Sequence, residues 1–432
     1  MLKYITQNLL NYLKSFAKKE KMTYHSNMKL IEKLIKYNQQ HLLKFEDELT
    51  ESEKQELYNQ IDSLDFSYLE ELTESHETPK EIITPLKAST INEIKPNKAN
   101  FEKVGLNALK NHKVGAVLVA GGMGTRLGSN NPKGMYNIGK TKEIFIFQRL
   151  IENIMDVVRQ TETYVPLFIM TSEKNDQATR EFLEEKNYFG YNKDFIRFFV
   201  QEMAPCCDFD GKILLERKNR VATSPNGNGG WFTSLLRNQE AKNMLDELNI
   251  EWLNVFAVDN VLQRIADPAF IGATISGNYP MGTKVIRKND PYEKLGVMCN
   301  KNGKPSIVEY IDLTEEMAHQ TDENGERVYN FGSFFNHLFN VNILHQIKDK
   351  KLPVHVVTKK VEHIDENGNL ISPETPNAHK FEMLCTDMIE LTGNCLAYEV
   401  ERVHEFAPIK NKTGIDSVES AQELLEQNGY EL

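Results

Sequence analysis

Residues Val114–Met135 read VGAVLVAGGMGTRLGSNNPKGM. Ala116 to Gly121 are apolar or small, and they run into a loop holding Gly121, Gly122, Gly124 and Gly128 with Arg126. Five residues after Gly128 comes Lys133, set behind Pro132. A short buried strand followed by glycines lets the backbone come close to a ligand. Backbone N–H groups with Arg and Lys then suit a phosphate chain. A tight turn would use such glycines only to supply positive φ, and one or two would be enough. The stretch is read as a nucleotide triphosphate site. Two familiar templates fail on it. A G-x-G-x-x-G pattern begun at Gly122 places its third glycine on Leu127. The P-loop needs Ser or Thr after its lysine, whereas Lys133 precedes Gly134 and Met135.

Working outward, strands alternate with helices from Lys113 onward. GAVLVA, VPLFIMTS, FIRFFVQ and WLNVFAVDN read as strands. EIFIFQRLIENIMDVV, QATREFLEEK and WFTSLLRN read as helices. This alternation predicts an α/β fold, a mostly parallel sheet with helices on both faces. GTKVIRK, LGVMCN and PSIVEY are shorter and hairpin-like, so the sheet becomes mixed. Three regions are expected: a helical N-terminal region over 1–105, a catalytic domain over 106–390 and a small C-terminal region over 391–432. Thr50 and Glu53 make a capping box for a helix in the first. The stretch from Thr73 to Asn100 reads as a wrapping linker.

The chain of 432 residues carries 51 basic and 62 acidic residues, a formal charge of −11. A general nucleic-acid surface is therefore not expected, and anions must be held by local Lys and Arg. Five cysteines, two of them adjacent, fit neither a disulfide framework nor a zinc site. Reduced thiols in a cytoplasmic protein fit better. His337 and His355 lie among apolar residues and read as core or locally hydrogen-bonded histidines. No apolar run approaches the ~20 residues of a membrane span. The opening MLKYITQNLLNYLKSFAKKEK reads as a surface helix.

Open parallel sheets bind ligands beyond the carboxyl ends of their strands. The glycine loop follows one such strand, Gln201 ends another, and Asp259 with Asn260 ends WLNVFAVDN. Asp259 is a candidate Mg²⁺ ligand, since Mg²⁺ takes hard oxygens and bridges phosphates; an aspartate there could equally be a helix N-cap. In SPNGNGG, Gly227 could admit a flat base and Asn228 offers an amide, although the same residues also suit a turn and helix start. Glu309 could accept from sugar hydroxyls.

Assembled in order, these residues resemble the eukaryotic-type UDP-N-acetylhexosamine pyrophosphorylases over nearly the whole chain. AGGMGTRLGSNNPKGMY carries that family's signature, and FFVQEMAP, DGKILLERKNRVATSPNGNGG, VDNVLQRIADPAFIG, YEKLGV, IVEY, YNFGSFFNHLF and YEVERVHEFAPIKN follow it. The resemblance implies a Rossmann-like, doubly wound mixed sheet of the nucleotidyltransferase, GT-A-like kind. It implies that Val119, Ala120, Gly121 and Gly122 with Lys133 bind UTP phosphates, with Arg126 nearby. Gln201 and Gly227 would recognise the uracil end, Asp259 would hold Mg²⁺, and Lys380 would contact the nucleotide phosphates. Asn228, Gly296, Glu309, Tyr310 and Ser333 would line the sugar pocket, and Lys410 would reach the transferring group.

The implied reaction is attack of a sugar 1-phosphate, N-acetylglucosamine 1-phosphate foremost, on the α-phosphorus of UTP. A phosphate monoester is already nucleophilic at neutral pH, so no Ser-His-Asp or Cys-His pair is required. The expected molecule is cytoplasmic, a monomer or weak homodimer, without nucleic-acid or membrane partners. Some positions depart from the family pattern. Asn226 stands for an aspartate, Ser333 for an asparagine, and Leu384 and Thr386 stand where animal members often carry aromatics. Sugar choice therefore stays open between N-acetylglucosamine, N-acetylgalactosamine, glucose and several sugars. Two other classes compete. A glycosyltransferase would not need the glycine loop and would carry D-x-D where VDN stands. A non-catalytic nucleotide-sugar sensor should lack the metal acid or the lysines.

Overall fold

The computed structural model describes residues 24–72 and 81–432. The opening MLKYITQNLLNYLKSFAKKEK and the first part of the Thr73–Asn100 stretch lie outside the described residues. Two compact units divide the chain. The smaller gathers Met1–His76, Met203–Asn226 and Val354–Glu382, and the larger holds Glu77–Glu202, Gly227–Pro353 and Met383–Leu432. The units cut across the three consecutive regions expected from the sequence.

In the larger unit ten strands form one sheet. They are β1 (Ile83–Pro85), β2 (Val114–Val119), β3 (Leu167–Thr171), β4 (Ile196–Val200), β5 (Trp252–Ala257), β6 (Met281–Arg287), β7 (Val297–Lys301), β8 (Lys304–Val308), β9 (Phe331–Asn340) and β10 (Leu396–Glu399). The order runs β1-β7-β9-β5-β2-β3-β4, with β8 on β7, and β6 between β9 and β10. The four strands from β5 to β4 are parallel. Antiparallel pairing begins at β9, which turns the sheet mixed.

Strand alternation assigns two cores. Ala116, Leu118, Ile169 and Phe256 face one cluster, built with Ile146, Leu150 and Ile154 of helix α1 (Ile146–Thr161). Val117, Phe168, Met170 and Val255 face the other, built with Trp231, Phe232 and Leu235 of helix α2 (Trp231–Arg237). Strands buried on both faces read as unbroken apolar runs, which is why β2 and β5 stood out in the sequence. The doubly wound mixed sheet matches the expected class. The linker expectation is corrected over its described part, since Ile83–Pro85 pairs with β7 as an edge strand and Thr90 opens a short capped helix.

In the smaller unit, helices Tyr24–Lys36 and Glu51–Ser63 accompany short antiparallel pairs. The Thr50/Glu53 capping box forms. Gln60 both donates to the Val221 carbonyl and accepts from its N–H, tying helix to strand. Among the described residues no helix is long and apolar enough to cross a membrane.

Candidate active site

The carboxyl ends of β2, β3, β4 and β5 share one edge, as parallel pairing requires. β9 runs against β5 with Asn336 opposite Phe256, so its first residues, Phe331 to Ser333, lie at that same edge. Gly332 in turn faces Val297 at the start of β7. Every strand-end candidate of the sequence reading in this unit falls on this edge.

The glycine loop is held by its carbonyls. Asn175 Nδ2 donates to the Ala120 oxygen at 2.9 Å and lies 3.4 Å from that of Gly122, and the Ser172 hydroxyl donates to Gly121 at 2.9 Å. Lys133 N–H donates to the Gly122 carbonyl at 3.1 Å, which closes the loop on its lysine. Carbonyls anchored this way leave the amide side of the loop to address a ligand. Ser172 and Asn175 escaped the sequence reading, although small polar residues just after a buried strand are the signal that would have found them. Gly121 lies against Gln201, and a β-carbon there would stand 2.4 Å from Gln201 Nε2.

Lys133 sits in a single turn, Lys133–Met135, behind Pro132. Its ammonium is 3.9 Å from Asp259 Oδ2. Burial pushes Lys133 below the ordinary lysine range; Asp259 opposes this, while Arg126 and Lys410 add to it. Lys133 and Asp259 are thus a partly buried pair, close enough to Arg126 and Lys410 to feel their charge. Arg126 lies on the exposed rim of the loop. The capping reading of Asp259 is excluded: the helix that follows, α3 (Pro268–Ser276), is capped by Asp267, which accepts from Ala269 N–H.

Lys410 is delivered by main-chain bonds. Ile409 N–H donates to the Asp259 carbonyl at 2.8 Å, and Asn260 spans the gap, donating to Glu405 and accepting from Ala407 N–H. The Lys410 ammonium pairs with Asp416 at 2.9 Å. Beneath this segment the fully buried Lys284 contacts Glu405 at 2.6 Å and Asp267 at 3.0 Å. Burial raises the Glu405 carboxyl despite Lys284. Burial would also raise Asp267, but Lys284 and Arg264 hold it below the usual range. The reading missed this cluster; a lysine inside the apolar run MGTKVIR was the available signal.

Toward the outer strands, Ser333 N–H donates to the Gly296 carbonyl at 2.9 Å. Glu309 Oε1 lies 3.3 Å from where a Gly296 β-carbon would be. These three meet, and Tyr310 stands partly exposed beside them. At Gly227 a φ of +86° and the Met383 carbonyl, 2.2 Å from its would-be β-carbon, show a close approach of backbone to backbone on that side. Asn228 Oδ1 accepts from Cys385 N–H at 2.8 Å, which uses its oxygen and not its amide N–H groups. Lys380 belongs to the smaller unit, on strand Ala378–Glu382 with Val357 opposite. His337 is fully buried, whereas His355 lies exposed on a short strand, contrary to its apolar sequence surroundings. Among the described residues no three His, Cys, Asp or Glu side chains cluster as a metal cage.

The family described as UTP–glucose-1-phosphate uridylyltransferase matches residues 59–429, and the chain belongs to it. A Xenopus tropicalis UDP-N-acetylhexosamine pyrophosphorylase-like protein 1 is 34% identical, over 87% of this chain and 78% of its own. The UDP-N-acetylglucosamine pyrophosphorylase of Saccharomyces cerevisiae is 36% identical, over 73% of this chain and 68% of its own. The match to the mouse pyrophosphorylase-like protein 1, 37% identical, spans 64% of that protein's length. Among solved structures, the uridine diphosphate N-acetylglucosamine pyrophosphorylase of Trypanosoma brucei, in complex with an inhibitor, superposes with a TM-score of 0.80. It is 27% identical, covering 94% of this chain and 85% of that one.

Proposed function

We propose that this chain joins UTP and N-acetylglucosamine 1-phosphate to give UDP-N-acetylglucosamine and pyrophosphate. The observation that carries the reading is the convergence, on one sheet edge, of the glycine loop, Lys133, Asp259 and Lys410 with Gly296, Glu309 and Ser333. A phosphate cradle and a hydroxyl-binding pocket side by side suit a nucleoside triphosphate and a sugar phosphate.

The loop amides from Gly121 and Gly122 would hold the triphosphate, and Gln201 against Gly121 would meet the base. The sugar phosphate oxygen attacks the α-phosphorus in line, forming one P–O bond as the bond to pyrophosphate breaks. Lys133, with Arg126 near it, neutralises charge growing on the transferring and leaving groups, and Lys410, carried beside Asp259 by the Ile409 bond, adds its own charge. No protein base is needed, because the phosphate monoester is already an anion. Asp259 fits a Mg²⁺ site of the kind that uses one carboxylate and the substrate phosphates. Bound there, Mg²⁺ would supply further charge neutralisation at the phosphates. Glu309 accepts from sugar hydroxyls, and Asn228 donates to the sugar.

Purified protein with UTP, Mg²⁺ and a panel of sugar 1-phosphates tests this by chromatography of the products. UDP-N-acetylglucosamine should form fastest. Faster UDP-glucose or UDP-N-acetylgalactosamine would move the sugar assignment, and no UDP-sugar from any donor would overturn the reaction.

A further inference from the structure

The backbone around Ser333 is irregular. In the β6–β9 pair Thr283 faces His337 and Val285 faces Ser333. Lys284 alone therefore opposes Phe334, Phe335 and Asn336, and Phe335 takes a φ of +58°. This bulge bends Ser333 and His337 toward a single side chain. Thr283 Oγ1 is 2.9 Å from His337 Nδ1 and 3.4 Å from Ser333 Oγ.

His337 is fully buried, its ring edge-on to Phe335 and Phe339. Burial pushes its imidazole down to about 3, so it is neutral and carries one N–H. Its Nε2 has no hydrogen-bond partner among the described residues. A buried orphan N–H is rarer than a buried orphan acceptor, which places the proton on Nδ1, donated to Thr283. Either oxygen can donate across the 3.4 Å Thr283–Ser333 contact; with Nδ1 protonated, a relay from His337 gives that role to Thr283. The Ser333 O–H is left unspent by the relay, next to Gly296, whose carbonyl accepts from Ser333 N–H and which Glu309 approaches.

We infer that His337 and Thr283 form a positioning relay that presets Ser333 as a hydrogen-bond donor to an oxygen of the sugar 1-phosphate. The relay rests on the reading of Ser333 as a sugar contact. A serine hydroxyl swings among rotamers, and the relay gives this one a direction.

Thr283→Val keeps shape and removes the hydroxyl. It should raise the KM for the sugar 1-phosphate about fivefold to tenfold, the worth of one neutral hydrogen bond, with the KM for UTP unchanged and kcat within threefold. Thr283→Ser should restore the KM. Ser333→Ala should show the same loss, and the double variant Thr283→Val/Ser333→Ala no more than either alone. If the valine variant melts several degrees lower, Thr283→Ala provides the same comparison with less crowding. Unchanged sugar KM in both Thr283 variants, equal changes for UTP and sugar, or additive losses in the double variant would each overturn the relay. A wild-type protein inert toward every sugar 1-phosphate would instead overturn the proposed function, and the relay with it.

Discussion

Two glycine-rich stretches, AGGMGTRLG and PNGNGG, look alike in sequence and do different work in the fold. At Gly122 a β-carbon would meet nothing within 4 Å, so the glycine opens a surface. At Gly227 and Gly229 a β-carbon would collide with the Met383 backbone, at 2.2 and 2.9 Å, so these glycines close one. The first stretch is anchored by its carbonyls to Ser172 and Asn175 and spends the Ala120, Gly124, Leu127 and Gly128 amides on main-chain carbonyls, so the proposed ligand contact falls to Gly121 and Gly122. The second uses its freedom to seat Met383–Cys385, with Gly229 N–H donating to Met383 at 2.8 Å. Glycine density alone marks close approach; only the surrounding chain tells whether the approaching group is ligand or protein.

The largest effect expected on the open side is at Lys133. Lys133→Ala should lower kcat/KM by about 10²–10³-fold with the melting temperature nearly unchanged, checked by steady-state kinetics beside a thermal melt. Asp259→Ala should cost about 10²-fold, and excess Mg²⁺ should recover only part of it. A near-normal rate in either folded variant would remove that residue from the site.

The glycines test the contrast itself. Gly227→Ala places a side chain at positive φ against a carbonyl, and should destabilise the protein by about 1–3 kcal/mol in a denaturant titration. Gly122→Ala should leave stability within about 0.5 kcal/mol and weaken UTP binding, read as a raised KM. The reverse pattern would exchange the roles given to the two stretches.

The smallest effect is in pH. Triphosphate binding favours the charged form of Lys133, whose buried ammonium titrates below its ordinary 10.5. As pH rises through that lowered value the free protein loses the charge, and the KM for UTP should climb by a few-fold. Lys133→Arg keeps its charge and should flatten the climb. For unliganded stability the sign is opposite. Between the lowered value and 10.5 the unfolded chain binds the extra proton, so Lys133 makes stability rise with pH there.

Much of this was legible in the sequence for a physical reason. Strands buried on both faces must be apolar throughout, so β2 and β5 announced themselves, and the residues at their ends inherited a place on one sheet edge. Asp259 could not be separated from a helix cap until Asp267 was seen to hold that role. The smaller unit was not legible, because its short strands at Met203–Pro205 and Thr223–Pro225 carry little pattern of their own and join the N-terminal helices across long gaps in sequence. Nor was the Lys284–Asp267–Glu405 cluster, whose charges compensate one another only once folded. Ser333 was noticed as a departure, but the bulge that turns Thr283 and His337 onto it depends on register, which one strand does not reveal.

The central claim is that the loop from Val119 to Lys133 presents the α-phosphorus of UTP to a sugar phosphate. Incubation with UTP labelled separately at its α- and γ-phosphorus, with Mg²⁺ and N-acetylglucosamine 1-phosphate, reads this directly. The α-label should appear in UDP-sugar and the γ-label in pyrophosphate, in equal amounts. Release of the γ-label as inorganic phosphate, or retention of both labels in UTP, would contradict it.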